Sequence, residues 1–329
     1  MFTKNGEVQM KTKITAFLLM ITMAIMLCSC ANAPAEQASD TSQKKEAVEA
    51  ATTESAAAAK EEATAESATA AKEAATAENT AAAKEETTAE NAAAAEEAIG
   101  IISAMDNEIA LLLDKAEIDH VDHIADMDFH VGKLCGKQVV IVKSGIGKAR
   151  SAAGAATLLD TYNLTKVIFT GIAGGVGDDT KVLDEVIATD LVQHDYGYIT
   201  NDGFEWNAGF DGGDGYYTCD TDLVSLAYDS AVKVLGEEHV FKGTIATGDQ
   251  FVGSEEYVKT LQDNFHAIAC EMEGAAVAVV CSEYEMPFVV IRAMSDKADG
   301  LAHDTYEDMG DRAADNSSKI VMQMLESME

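Results

Sequence analysis

From Ala98 onward, short continuous apolar runs alternate with stretches whose apolar residues recur at helical spacing, and this alternation restricts the chain to a layered α/β fold. Residues 98–105 form an apolar run bounded by charge; residues 106–115 follow with Ile109, Leu112 and Leu113 at helical spacing. Residues 129–134 and 138–143, joined across Cys135-Gly136-Lys137, read as a hairpin, and residues 147–160 as an Ala-rich helix. Residues 166–170 read as a buried strand running into a close-approach loop, Gly171-Ile172-Ala173-Gly174-Gly175. Residues 182–192, 243–247 and 288–294 are further β-rich runs, and 254–265, 274–283 and 306–325 have helical character. Wholly apolar strands such as 289–291 require cover on both faces. The expectation is a single three-layer α/β domain over residues 98–329, with a mixed central β-sheet flanked by helices.

The first 97 residues have a different texture. Lys11 and Lys13 precede an apolar run, residues 14–27, that is short for a bilayer span and ends in Leu27-Cys28-Ser29-Cys30. That ending resembles a bacterial lipobox, with Cys30 the better acceptor because bulky Met26 and Leu27 precede Cys28. Residues 1–30 are therefore expected to be a lipoprotein-type signal peptide, which places the protein outside the cell, lipid-anchored to the outer face of a bacterial membrane. Residues 31–97 are Ala, Glu, Thr and Lys with almost no large apolar side chains, so they cannot bury enough surface to offset chain entropy. They are expected to be a disordered or partly helical tether.

The net charge of −34 argues against nucleic acid as a partner, because no basic stripe is present to displace counterions from a phosphate backbone. Contact with a membrane is expected through the N-terminal lipid only. Cys135, Cys219, Cys270 and Cys281 have no C-x-x-C or metal-ligand spacing, and Cys270 and Cys281 read as small buried apolar residues. No metal and no cofactor are expected.

Three motifs carry chemistry. The glycine cluster at 171–175 lacks the spacing of a dinucleotide fingerprint and reads either as backbone approaching a ligand or as a tight turn. Glu271-Met272-Glu273 sets two carboxylates at an element boundary, where one can face inward. Arg292-Ala293-Met294-Ser295-Asp296 ends an apolar strand, so charged groups fall at a carboxyl edge, where α/β proteins bind ligands.

Five ordered segments resemble the methylthioadenosine/S-adenosylhomocysteine nucleosidase group of the nucleoside phosphorylase fold. They are residues 100–105 with Glu108, 143–148, 170–175, 248–252, and 271–273 with 292–296. The resemblance runs from about Ala98 to the C-terminus. It implies hydrolysis of the N-glycosidic bond of methylthioadenosine or S-adenosylhomocysteine, releasing adenine. It implies that Asp296 is the general acid at N7 of the purine, oriented by Ser295, and that Glu108 activates the attacking water, with Arg292 helping to hold it. Glu273 corresponds to the ribose-hydroxyl binder, and Met272 to the residue packing beneath the sugar. Phe251 and Val252 resemble the adenine site, and Met105, Ile146 and Tyr306 the surroundings of the sugar and its 5′ substituent. Ile172 and Gly174 place the glycine segment in the binding site, although the family often has Ser where this chain has Ile172. A homodimer is also implied.

Two alternatives stand beside hydrolysis. A purine nucleoside phosphorylase of the same fold would bind phosphate, which a carboxylate at Glu108 repels. A non-catalytic nucleoside-binding lipoprotein would not need both an acid and a water activator.

Overall fold

The computed structural model describes residues 96–207 and 213–328. The signal, the tether and Cys30 lie outside the described residues. The strands are β1 (Ala98–Ser103), β2 (Glu117–Ile124), β3 (Met127–Leu134), β4 (Lys137–Lys143), β5 (Leu164–Gly175) and β6 (Glu185–Gln193). They continue with β7 (Gly197–Thr200), β8 (Gly203–Trp206), β9 (Tyr216–Thr218), β10 (Val240–Thr247), β11 (Ala267–Glu271) and β12 (Phe288–Asp296). The helices are α1 (Asp106–Lys115), α2 (Lys148–Thr161), α3 (Thr221–Leu235), α4 (Glu255–Phe265), α5 (Gly274–Glu283) and α6 (Ala302–Ser327).

Ten strands make one mixed sheet in the order β11-β10-β6-β12-β5-β1-β4-β3-β2, with β9 beside β6. Strands β4, β1, β5 and β12 are mutually parallel, whereas β6 runs antiparallel to β12. Strand β11 also returns to pair antiparallel with the end of β5, so part of the sheet closes on itself. That return brings the carboxyl end of β11 next to those of β5 and β12.

The apolar strands alternate between two covered faces. Ile102, Val140, Val142, Phe169 and Val290 pack with Leu158 of α2 and Val277 of α5. Their neighbours Ile101, Val139, Ile141, Ile168 and Ile291 pack with Leu112 of α1, Ala227 of α3 and Met324 of α6. Each large aliphatic side chain buried this way contributes about 1.5–3 kcal/mol. The expected three layers are present, and every residue of β1 and β12 is buried.

Three features depart from the expectation. Strand β2, helix α3 and the β7–β8 hairpin are absent from the sequence reading; β2 is mostly exposed and polar at the sheet edge, whereas α3 buries Leu223, Ala227 and Ala231 at helical spacing. Helix α6 starts at Ala302 rather than near residue 306. Finally, Gly171–Gly175 is not a loop: these residues continue β5, held by pairing of Gly171 with Arg292 and of Gly174 with Asp296 and Cys270.

Candidate active site

A cavity of about 460 Å³ opens where β1, β5, β11 and β12 end. All the catalytic and substrate-binding residues named from the sequence line it, except Arg292. Met105 follows β1, Glu108 lies in the first turn of α1 and Ile146 follows β4; Ile172 and Gly174 come from β5. Phe251 and Val252 follow β10, Met272 and Glu273 follow β11, Ser295 and Asp296 end β12, and Tyr306 lies on α6.

Glu108 is the third residue of α1, a position from which a glutamate reaches back to the unpaired N–H groups of the helix start. Its Oε2 accepts from Ala104 N and Met105 N, both at 2.8 Å, and its Oε1 from Ile172 N at 2.9 Å. Burial raises its pKa, opposed by Arg292 and by these three N–H donors. The carboxylate fits only because residue 171 has no side chain. A Cβ there would lie 2.5 Å from Oε1.

Asp296 mirrors this arrangement on the opposing strand end. Its Oδ1 accepts from Ala298 N at 2.7 Å and its Oδ2 from the Ser295 hydroxyl at 2.8 Å. Burial raises its pKa, with those two donors opposing. Gly174 leaves room for it, since a Cβ there would sit 3.1 Å from Oδ1. The glycines at 171 and 174 therefore serve the two carboxyl groups, and neither has a positive φ.

Both carboxylates of the 271–273 motif are buried, but they do different work. Glu271 Oε2 accepts from Arg292 Nη2 at 2.8 Å, Gly274 N at 2.7 Å and Glu273 N at 3.1 Å, while Oε1 accepts from the Thr247 hydroxyl. It thereby satisfies the first N–H groups of α5 and neutralises a buried arginine. Glu273 instead turns to the loop after β4, accepting at 2.8 Å from the N–H of Gly147, a residue with φ +94° that starts α2. Burial and the neighbouring Glu271 raise the pKa of Glu273.

Arg292 alone of the named residues lies behind the cavity wall. It is 1% exposed and absent from the cavity wall, with its guanidinium over the Phe169 ring at 4.1 Å and Nη1 donating to Ile291 O at 3.1 Å. Its partner is Glu271, and it acts on Glu108 and Glu273 only through its charge. An arginine in the middle of an apolar strand points off the sheet face, so adjacency in sequence to Asp296 did not set its direction.

Aromatic rings close the outer side. Phe251 is 54% exposed and packs edge-on against Tyr306 and His303, and the Tyr306 hydroxyl meets Met105 Sδ at 3.8 Å. Among the described residues no Lys or Arg lines the cavity.

Sequence reasoning missed several participants. Gln250, Cys270 and His303 also line the cavity. Cys270 is buried as expected, and burial pushes its thiol pKa far up, so it presents a neutral sulfur. A polar bridge was not foreseen either. Asp195 takes Lys148 Nζ at 2.6 Å and Asp249 N at 3.0 Å, and Asp249 Oδ1 takes Lys148 N at 2.9 Å. This ties the loop at Gly147 to the loop that carries Phe251. The signal lay in Gln193-His194-Asp195-Tyr196, whose charges have no meaning until β6 places them beside α2.

A family model described as Phosphorylase superfamily matches residues 98–326. The 5′-methylthioadenosine/S-adenosylhomocysteine nucleosidase of Bacillus thuringiensis (strain Al Hakam) is 38% identical over 234 residues, 70% of this chain and 99% of that protein. The structure of the Neisseria meningitidis 5′-methylthioadenosine/S-adenosylhomocysteine nucleosidase in complex with methylthio-immucillin-A matches with a TM-score of 0.65 at 35% identity. The match covers 70% of this chain and 99% of that one. Native futalosine hydrolase of Helicobacter pylori strain 26695 matches with a TM-score of 0.62 at 31% identity, over 71% and 98% of the two chains. The chain belongs to the phosphorylase superfamily, within its group of 5′-methylthioadenosine/S-adenosylhomocysteine nucleosidases.

Proposed function

We propose that this protein hydrolyses the N-glycosidic bond of 5′-methylthioadenosine and S-adenosylhomocysteine, releasing adenine and the thio-substituted ribose. The observation that carries the assignment is the placement of two buried carboxyl groups, Glu108 and Asp296, on one cavity, each in a pocket opened by a glycine. Asp296, its pKa raised by burial, delivers a proton to N7 so that adenine leaves as a neutral base. Positive charge then develops at C1′. Water adds there as Glu108 accepts its proton, and Glu273 holds the ribose hydroxyls. Phe251 stacks on the base, and Met105, Ile146 and Tyr306 surround the 5′ thioether.

A cavity wall without Lys or Arg favours water over phosphate as the nucleophile, since an anion would meet the four carboxyl groups of Glu108, Glu271, Glu273 and Asp296 and neither Lys nor Arg. The test is release of the free base by the purified protein: adenine from methylthioadenosine, S-adenosylhomocysteine and adenosine, and hypoxanthine from inosine and futalosine. Phosphate-independent release from the two thioethers is expected. Release only with phosphate would assign a phosphorylase, and nucleoside binding without release a binding lipoprotein.

The N-terminal segment supports a location to go with this activity: export, cleavage before Cys30, lipid attachment at Cys30 and a tether over residues 31–97 holding the enzyme off the outer membrane face. Among the described residues no helix is long and apolar enough to cross a membrane. Tyr198, Ile199 and Phe204 on the β7–β8 hairpin are exposed apolar side chains that support assembly as a homodimer. Metabolic labelling with a radioactive fatty acid, lost on Cys30→Ala, tests the anchor, and sedimentation of the tether-free protein tests the dimer.

A further inference from the structure

A second, more open depression continues from the cavity. Met105, Ile146 and Tyr306 line both, so the place assigned to the 5′ thioether is also the doorway into this groove. Beyond that doorway the wall changes character, from apolar to charged, with Asp106, Lys143, Arg150 and Asp311.

The charges are not equally engaged. Lys143 Nζ is held by Asp106 Oδ1 at 2.5 Å, so those two neutralise each other. Asp311 Oδ1 accepts from Asn107 Nδ2 at 3.1 Å, and its other oxygen has no partner among the described residues. Arg150, in the first turn of α2, lies over Gly145, with Nη1 3.4 Å from where a Cβ of that glycine would be. Among the described residues its guanidinium has no hydrogen-bond or ion-pair partner. A chain with net charge −34 and few cations has thus left one arginine unpaired at the mouth of its substrate cavity, with an acid across the groove.

We propose that this groove is a subsite for an α-amino acid carried on the 5′ sulfur, with Arg150 taking the α-carboxylate and Asp311 the α-ammonium. The proposal rests on the nucleosidase assignment and adds the determinant that separates S-adenosylhomocysteine from methylthioadenosine. A guanidinium presents paired N–H donors that match a carboxylate, and a methylthio group offers nothing for them to bind. Because the groove is open to solvent, the gain is modest and sensitive to salt.

The experiment is steady-state kinetics of the wild type, Arg150→Gln, Arg150→Glu and Asp311→Asn. The substrates are methylthioadenosine, S-adenosylhomocysteine and the decarboxylated 5′-(3-aminopropylthio)-5′-deoxyadenosine. Arg150→Gln is expected to raise KM for S-adenosylhomocysteine about fivefold, and Arg150→Glu further, with methylthioadenosine unchanged. The decarboxylated analogue should be insensitive to Arg150→Gln but respond to Asp311→Asn. Equal shifts for both thioethers, or none for S-adenosylhomocysteine, would overturn the subsite while leaving the nucleosidase intact. If the wild type cleaves no thioether nucleoside, the nucleosidase assignment fails first and the subsite fails with it.

Discussion

Glu108 and Gly171 are matched by absence: the carboxylate occupies the space where a side chain on residue 171 would begin, 2.5 Å from Oε1. One of its oxygens is fixed by the N–H of Ile172, the next residue of the same strand, at 2.9 Å. A buried carboxylate on a helix start, the proposed water activator, is in this way registered against a strand of the central sheet.

Gly171→Ala is therefore expected to displace the Glu108 carboxylate, lowering kcat about a hundredfold and costing about 1–3 kcal/mol of stability. Kinetics combined with thermal unfolding check both. A fully active Gly171→Ala protein would remove Glu108 from the water-activating role.

Asp296→Asn should lower kcat by about 10²–10⁴ while KM changes little, because the proton it delivers matters only in the transition state. Binding of an unreactive nucleoside analogue, measured by calorimetry, should survive the substitution. Loss of binding in parallel with kcat would make Asp296 a binding group.

The pH profile separates the two carboxyls. In the proposed mechanism Asp296 acts protonated, so activity is expected to fall as pH rises through its raised pKa, and Glu108 acts ionised, so activity is expected to fall as pH drops through its own. Ser295 donates to the carboxylate form of Asp296 and holds its pKa down. Ser295→Ala should accordingly move the alkaline limb of kcat/KM to higher pH and leave the acid limb in place. A shifted acid limb would exchange the two assignments.

The ion pair behind the wall is expected to matter for stability more than for chemistry. Arg292→Met leaves Glu271 buried at the start of α5 without its cation, which costs about 3–5 kcal/mol. Denaturant unfolding measures this. An unchanged midpoint would show that Glu271 is satisfied by Thr247 and the α5 N–H groups alone.

Asp195→Ala should raise KM for both thioethers about tenfold with a smaller effect on kcat, since it unties the loop at Gly147 from the loop at Phe251 while leaving Glu108 and Asp296 in place. Asp195→Asn should rescue part of the loss by keeping one of the two acceptor oxygens, and with it one side of the bridge. Identical defects in both variants would mean the charge on Asp195, not its bridging geometry, is what counts.

The layered fold was legible from residue 98 because strands covered on both faces must be continuously apolar, as 139–142 and 288–291 are. The edge strand β2 was not, since a half-exposed strand such as Glu-Ile-Asp-His-Val-Asp-His-Ile has no apolar face to betray it. Met272, Glu273, Ser295 and Asp296 were legible because they sit in compact motifs that end or follow strands, whereas Gln250, Cys270 and His303, which line the same cavity, were not. What sequence could not supply was direction: whether Arg292 faces the cavity or Glu271, and whether Gly171–Gly175 turns or runs straight on in the sheet, are settled by pairing with distant strands. The Asp195–Lys148 bridge joins residues 47 apart and had no local signature.

The most direct test of the central claim is turnover of methylthioadenosine in ¹⁸O-labelled water containing excess inorganic phosphate, with the sugar product analysed by mass spectrometry. Hydrolysis through Glu108 predicts free methylthioribose carrying one ¹⁸O at C1. Methylthioribose 1-phosphate without label would contradict it and assign the cavity to phosphorolysis.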